Sequence, residues 1–291
     1  MTLARRAYGN TRIELSIIGF GGIIVSGMEQ AKADVCVAKA VERGVNYFDI
    51  APSYGDAEHQ LGPALEPYRK DVFLACKTTH RDAAGAREEL AQSLATLRTD
   101  YFDLYQLHAL TKIDKDVDAA FAPDGIMPML IEEKRAGRIR HIGFSAHSTQ
   151  AAMAAMDRYD FDSILFPINF ATYYESDFGP QVIPRAQEIG AARLALKAMA
   201  RGKWQEGDPR RERYKNCWYE PLFDRDLASL ALRFTLSQPI TAALPPGAED
   251  LFWTAVDIAE DFKPLAEGEY EQLRAMARQV EPIFSAAGGF E

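Results

Sequence analysis

Eight short, β-rich apolar runs recur at fairly even spacing along the chain, separated by stretches of helical period. The runs are LSIIGF from Leu15, YFDI from Tyr47, VFLAC from Val72, FDLYQL from Phe102, IRHIGF from Ile139, SILFPI from Ser163, RLALKA from Arg193 and ITAAL from Ile240. Between them, Leu90, Leu94 and Leu97 fall on one face of a helix, as do Leu227, Leu230, Ala231 and Phe234, and again Leu251, Ala255, Ile258, Ala259 and Phe262. Strands separated by helices cannot pair as hairpins, so they are expected to be parallel. Eight such units close naturally into a (β/α)8 TIM barrel, an architecture of the α/β class. The period by itself also fits a doubly wound open sheet.

Punctuation supports the same reading. Gly44 and Gly137 each end an amphipathic run ahead of a strand, where a left-handed residue stops a helix, and Asp82, Ser148 and Asp224 stand where N-caps belong. RRAYGNTRIEL reads as an N-terminal hairpin about Gly9-Asn10, a plug for the barrel bottom, and Tyr270, Leu273, Ala277 and Val280 predict an extra C-terminal helix. A barrel uses about 250 residues, so residues 1–291 are expected to form one domain. The longest irregular stretch, Arg201 to roughly Leu222, follows the seventh run, at the end of a barrel strand where ligands sit.

Composition narrows the partners. A formal net charge of -9 disfavours a nucleic-acid surface, which needs clustered cations, and leaves a small molecule as the expected partner. No stretch approaches the length of a membrane helix, and the first residues lack an apolar signal core. The three widely spaced cysteines, Cys36, Cys76 and Cys217, suit a reducing compartment better than a disulfide framework, so a cytoplasmic protein is expected. The five histidines show no ligand spacing, and no metal site is expected.

Four polar residues stand at or just beyond the ends of three successive runs: Asp49 and Tyr54 in FDIAPSYG, Lys77 in FLACKT, and His108 in LYQLH. In a barrel they converge on one mouth, where an ionisable residue closing a buried run must reach solvent or find a partner. Carbonyl reduction needs such a set. Hydride reaches the carbon while the oxygen takes a proton, and a tyrosine near its ordinary pKa of about 10 is a poor acid without a neighbouring cation. Lys77 supplies that charge, Asp49 keeps Lys77 charged, and His108 donates a hydrogen bond to the carbonyl oxygen.

With these residues in view, the chain resembles the aldo-keto reductase family, whose Asp, Tyr, Lys, His tetrad matches Asp49, Tyr54, Lys77 and His108 in order and local motif. Glu58, Leu61 and Gly62 extend the match, and it covers nearly the whole chain. The resemblance implies an NAD(P)-dependent oxidoreductase that reduces an aldehyde or ketone, or oxidises the corresponding alcohol, with Tyr54 as general acid or base. It also implies cofactor contacts from Ser145 in GFSAHS, beside the nicotinamide carboxamide, and from Asn169 in FPINF.

The chain departs from the family pattern in three places. Ala146 replaces an asparagine, Leu196 followed by Lys197 stands where an aromatic residue packs on the nicotinamide, and LPPGAEDLF carries Glu249 and Asp250 where the family has cations. A helix N-terminus at Gly247 still offers N–H groups to a phosphate, but acids there repel the 2′-phosphate of NADP, so the cofactor is NADP or NAD. Arg201, Lys203, Arg210, Arg211, Arg213 and Lys215 crowd the loop after the seventh run and are expected to clamp the cofactor phosphates instead. The cofactor set is therefore Ser145, Asn169, Lys197, Arg201, Lys203 and Gly247. A substrate pocket is expected from the loops 23–28, 110–124 and 173–178, with Trp204 and Trp218. Two other functions share the residues: a cofactor-binding regulatory barrel with little turnover, and a lyase using Lys77 as a Schiff-base nucleophile.

Overall fold

A computed structural model describes residues 3–285 of the chain. A hairpin of β1 (Arg5–Ala7) and β2 (Glu14–Ser16) opens it, antiparallel about the Gly9-Asn10 turn. Barrel strands follow: β3 (Phe20–Gly21), β4 (Tyr47–Asp49), β5 (Phe73–Thr78), β6 (Phe102–Leu110), β7 (Ile139–Ala146), β8 (Ser163–Pro167) and β9 (Ala192–Leu196). A short ribbon of β10 (Ala200–Gly202) and β11 (Glu220–Pro221) precedes the last barrel strand, β12 (Ala242–Leu244). The eight barrel strands are all parallel and neighbour one another in chain order. A parallel bridge from Ile18 to Ala243 brings the first and last together. That order, with closure, is a singly wound barrel and excludes the doubly wound sheet.

Helices α1 (Gln30–Glu42), α2 (Ala57–Leu65), α3 (Ala83–Thr96), α4 (Ile126–Ala136), α5 (Thr149–Met156), α6 (Phe170–Glu175) and α7 (Val182–Glu188) connect β3 through β9. A single turn, α8 (Arg210–Arg213), lies within the long loop. Helices α9 (Arg225–Ser237) and α10 (Glu249–Glu260) flank β12, and α11 (Glu267–Ala277) is the additional C-terminal helix. The expected caps form: Asp82, Ser148 and Asp224 accept backbone N–H groups at the starts of α3, α5 and α9. Gly44 and Gly137 adopt φ of +90° and +80°. None of the described helices is long and apolar enough to cross a membrane.

Alternate strand residues point inward, as the pleat requires. Tyr47, Phe73, Ala75, Leu104, Leu165, Leu194 and Leu244 therefore form an inner apolar cluster, and Tyr8 and Leu15 of the hairpin plug it from below. The larger cluster lies between strands and helices. The run LSIIGF departs from expectation because it serves two structures: Leu15 belongs to the plug, and only from Ile17 does the chain join the barrel. The run RLALKA ends at Leu196, because Lys197 leaves the extended region at φ +65°.

Candidate active site

The inner face of the barrel turns polar at the C-terminal ends of three adjacent strands. Asp49 follows Tyr47 on β4, Lys77 follows Phe73 and Ala75 on β5, and His108 follows Leu104 and Gln106 on β6, always two residues along the same inward face. Tyr54 enters from the loop ahead of α2. Asp49, Tyr54, Lys77 and His108 line one cavity at the barrel mouth.

Lys77 and Asp49 are both buried and joined by an ion pair. The Lys77 ammonium also donates to the Ile50 carbonyl at 3.1 Å and lies 3.3 Å from the Tyr54 hydroxyl. The other Asp49 oxygen, Oδ2, accepts from Gln106 at 3.0 Å and from the Tyr47 hydroxyl at 3.1 Å. This carboxylate is therefore fixed at both oxygens, the condition under which a buried charge is tolerable. Burial works to discharge Lys77, but Asp49 outweighs it and holds the lysine pKa above its usual value. Burial pushes the Tyr54 hydroxyl up and the Lys77 charge opposes that, leaving it above the ordinary tyrosine range and protonated at neutral pH.

His108 stands edge-on to Tyr54 with ring centroids 5.9 Å apart. Its position depends on a bulge: β6 shifts register between Leu107 and Leu110, Ala109 takes φ +57°, and the Ser145 hydroxyl accepts the Ala109 N–H at 2.7 Å. Burial, then the charge of Lys77, pushes His108 down to about 3, so it is a neutral ring with one N–H to donate.

Gly21, Leu165, Leu196, Tyr219 and Leu244 supply apolar walls to the cavity, and Ser145, His147, Lys197 and Trp218 line it as well. Beyond Asn216 and Gly247, which border both spaces, it continues into a groove lined by Ser26, Arg213, Lys215, Glu249 and Asp250 at the start of α10.

Residues 17–248, four-fifths of the chain, match the model of the aldo/keto reductase family. The chain belongs to that family. Its members are oxidoreductases, and among its relatives the uncharacterized oxidoreductase YqkF of Bacillus subtilis is 26% identical over 95% of this chain and 97% of its own length. L-galactose dehydrogenase of Arabidopsis thaliana is 26% identical, covering 70% of this chain and 68% of its own. The holo form of aldo-keto reductase AKR11C1 from Bacillus halodurans shares the fold, with a TM-score of 0.74 at 24% identity over 94% of this chain and 96% of its own.

For this aldo-keto reductase the remaining expected cofactor residues divide. Ser145, Lys197 and Gly247 line the cavity. Asn169 does not: its side chain caps α6 through Ala171 and Thr172 and donates to the Lys197 and Ala200 carbonyls, which ties the end of β8 to the turn from β9 into β10. Arg201 and Lys203 lie outside both cavity and groove. Arg201 binds Glu220 at 2.8 Å, and Lys203 binds Glu281 at 2.7 Å. Arg210 is held by Asp208 and Glu220. Of the six loop cations, Arg213 and Lys215 reach the groove, and Arg213 is ion-paired to Asp250 at 2.8 Å. Trp218 and Ile23 reach the cavity from the expected pocket loops, whereas Trp204 donates to the Cys217 carbonyl and packs beside it.

Sequence reasoning missed Gln106, Tyr47, His147, Asn216 and Tyr219. Period-two spacing carried a signal for the first two, because both share the inward face with residues already singled out. Nothing in the sequence marked Tyr219, which reaches the cavity through pairing of β10 with β11.

The site fits the nicotinamide cofactor of the family. A Cβ on Gly21 would meet nothing within 4 Å, so its missing side chain leaves the cavity open for a flat ring, and a Cβ on Gly247 would strike Ile23 at 2.6 Å, so that stretch of backbone stays bare. Gly21, Ser145, Asn216 and Gly247 would hold the ring and its linker, with Arg213 and Lys215 toward the phosphates.

Proposed function

We propose that this chain reduces an aldehyde or ketone with NAD(P)H, or oxidises the corresponding alcohol, with Tyr54 as the proton donor or acceptor. The observation that carries the reading is the Tyr54 hydroxyl 3.3 Å from a lysine that buried Asp49 keeps charged. The bound cofactor supplies hydride to the carbonyl carbon. Tyr54 gives its proton to the oxygen as negative charge develops there, and the Lys77 ammonium stabilises the tyrosinate left behind. Neutral His108 donates its N–H to the same oxygen and orients the substrate, without a further positive charge beside Lys77. The Asp49 contact supports this reading over a Schiff base on Lys77, since an ammonium has no lone pair for attack.

For the cofactor we propose NAD over NADP. Asp250 and Glu249 at the start of α10 repel a 2′-phosphate, and Asp250 already engages Arg213. Titration with NADH and NADPH, followed by nucleotide fluorescence, tests both claims: NADH is expected to bind at least tenfold tighter. Tyr54→Phe is expected to bind cofactor like the parent and to lose about 10²–10⁴-fold in kcat. Binding of neither nucleotide by folded protein would overturn the hydride-transfer reading, and tight binding with no turnover of any carbonyl would favour the regulatory barrel.

A further inference from the structure

Lys197 is the cation in the cavity that the proposed chemistry does not use. It follows the last residue of β9 at φ +65°, a conformation a lysine rarely adopts, and its side chain lines the same cavity as Tyr54, Lys77 and His108. No carboxylate of the described residues lies within ion-pair distance of it, in contrast to Lys77. Its ammonium rests instead against two aromatic faces, 5.0 Å from the centre of Trp218 and 4.8 Å from that of Tyr219. Cation–π contacts hold a cation in place without neutralising it. Burial, with Lys77 in the same cavity, lowers its pKa to about 8, so it is still mostly charged at neutral pH.

A lysine held in a strained turn beside the reacting centre, with no carboxylate partner among the described residues, is a receptor for an oxyanion. That oxyanion could belong to the cofactor diphosphate or to the carbonyl compound. Lys197 lines the cavity that holds the tetrad but not the groove at the start of α10, and that groove has cations of its own in Arg213 and Lys215. We infer that Lys197 binds an acidic group on the substrate itself, and that the substrates of this enzyme are oxo acids, carbonyl compounds carrying a carboxylate. The inference rests on the oxidoreductase reading above and assigns Lys197 to the substrate rather than the cofactor. Trp218 and Tyr219 fix the ammonium, and the tetrad works on the carbonyl at the other end of the same molecule.

The test compares oxo acids of three to six carbons with their neutral methyl esters, as kcat/KM, in the parent and in Lys197→Met. Methionine keeps the length and removes an uncompensated charge, so the variant is expected to fold. The parent should prefer at least one acid over its ester by tenfold or more. Lys197→Met should abolish most of that preference, and Lys197→Arg should retain part of it. Equal acid-to-ester ratios in parent and Lys197→Met would overturn the inference, as would a loss confined to dinucleotide affinity, which would assign the lysine to the cofactor. A second measurement needs no turnover: butyrate and butyramide are titrated against tryptophan fluorescence, with Trp218→Phe as control. Butyrate binding that disappears in Lys197→Met supports the receptor even if the oxidoreductase reading fails. Equal binding of amide and acid sinks it even if that reading holds.

Discussion

Asp49 receives Lys77 on one oxygen and Gln106 and Tyr47 on the other, so each partner's removal has a different consequence. Lys77→Met strands a buried carboxylate and is expected to cost about 3–5 kcal/mol in urea unfolding, while Asp49→Asn with Lys77→Met removes both charges and should recover much of that loss. A double variant no more stable than Lys77→Met alone would show that the pair is not coupled. A second expectation concerns Asp250, which pins Arg213 and the Tyr214 hydroxyl at 2.8 and 2.9 Å. Asp250→Asn frees Arg213 and removes the charge that repels a 2′-phosphate. NADPH affinity should rise about tenfold relative to NADH, equivalent to about 1.4 kcal/mol, and an unchanged affinity ratio would exclude Asp250 as the discriminating residue.

At the scale of elements, the hairpin that closes the barrel bottom turns on Gly9. Its φ is +56°, and a Cβ there would meet the Gly190 carbonyl oxygen at 2.6 Å, so Gly9→Ala faces both backbone strain and a collision with main chain. A loss of about 1–3 kcal/mol is expected from urea denaturation, and an unchanged midpoint would mean that the plug contributes nothing. The elements that sequence made legible are those with local causes: Asp82, Ser148 and Asp224 cap where hydroxyl or carboxylate oxygens precede helical runs, and Gly44 and Gly137 terminate helices. The tetrad was legible for a related reason, since each strand-end residue stands out against the apolar run behind it. What depended on distant partners was not. Arg201 and Arg210, expected to clamp the cofactor phosphates, are instead ion-paired to Glu220, which the β10–β11 ribbon brings against both. Asn169, expected to contact the cofactor, gives its amide hydrogens to the Lys197 and Ala200 carbonyls, partners that only the turn from β9 into β10 brings to it.

Taken as a whole, the molecule is acidic, with a net charge of -9, yet its cavity holds Lys77 and Lys197 beside two histidines. Burial, followed by these charges, pushes His108 down to about 3, and burial with Lys197 does the same to His147. An unfolded histidine titrates near 6.5. The unfolded chain therefore takes up two protons that the folded chain refuses until the pH is near 3, and stability falls as pH drops below about 6.5. Each histidine contributes at most about 1.4 kcal/mol per pH unit in that window. Carboxylates act elsewhere: Asp116 and Asp162, held below the usual range, weaken the fold only once the pH reaches that of an unfolded aspartate, while Glu58, raised by burial, acts in the opposite direction and also near the carboxylate range. Between pH 7.5 and 5 the cavity histidines should dominate. The urea midpoint is expected to drop across that interval, and to drop less in the double variant His108→Gln, His147→Gln. A midpoint that stays level in the parent would mean that His108 and His147 titrate in the fold as they do in the unfolded chain, and His108 would then be a neutral donor only above about pH 6.5.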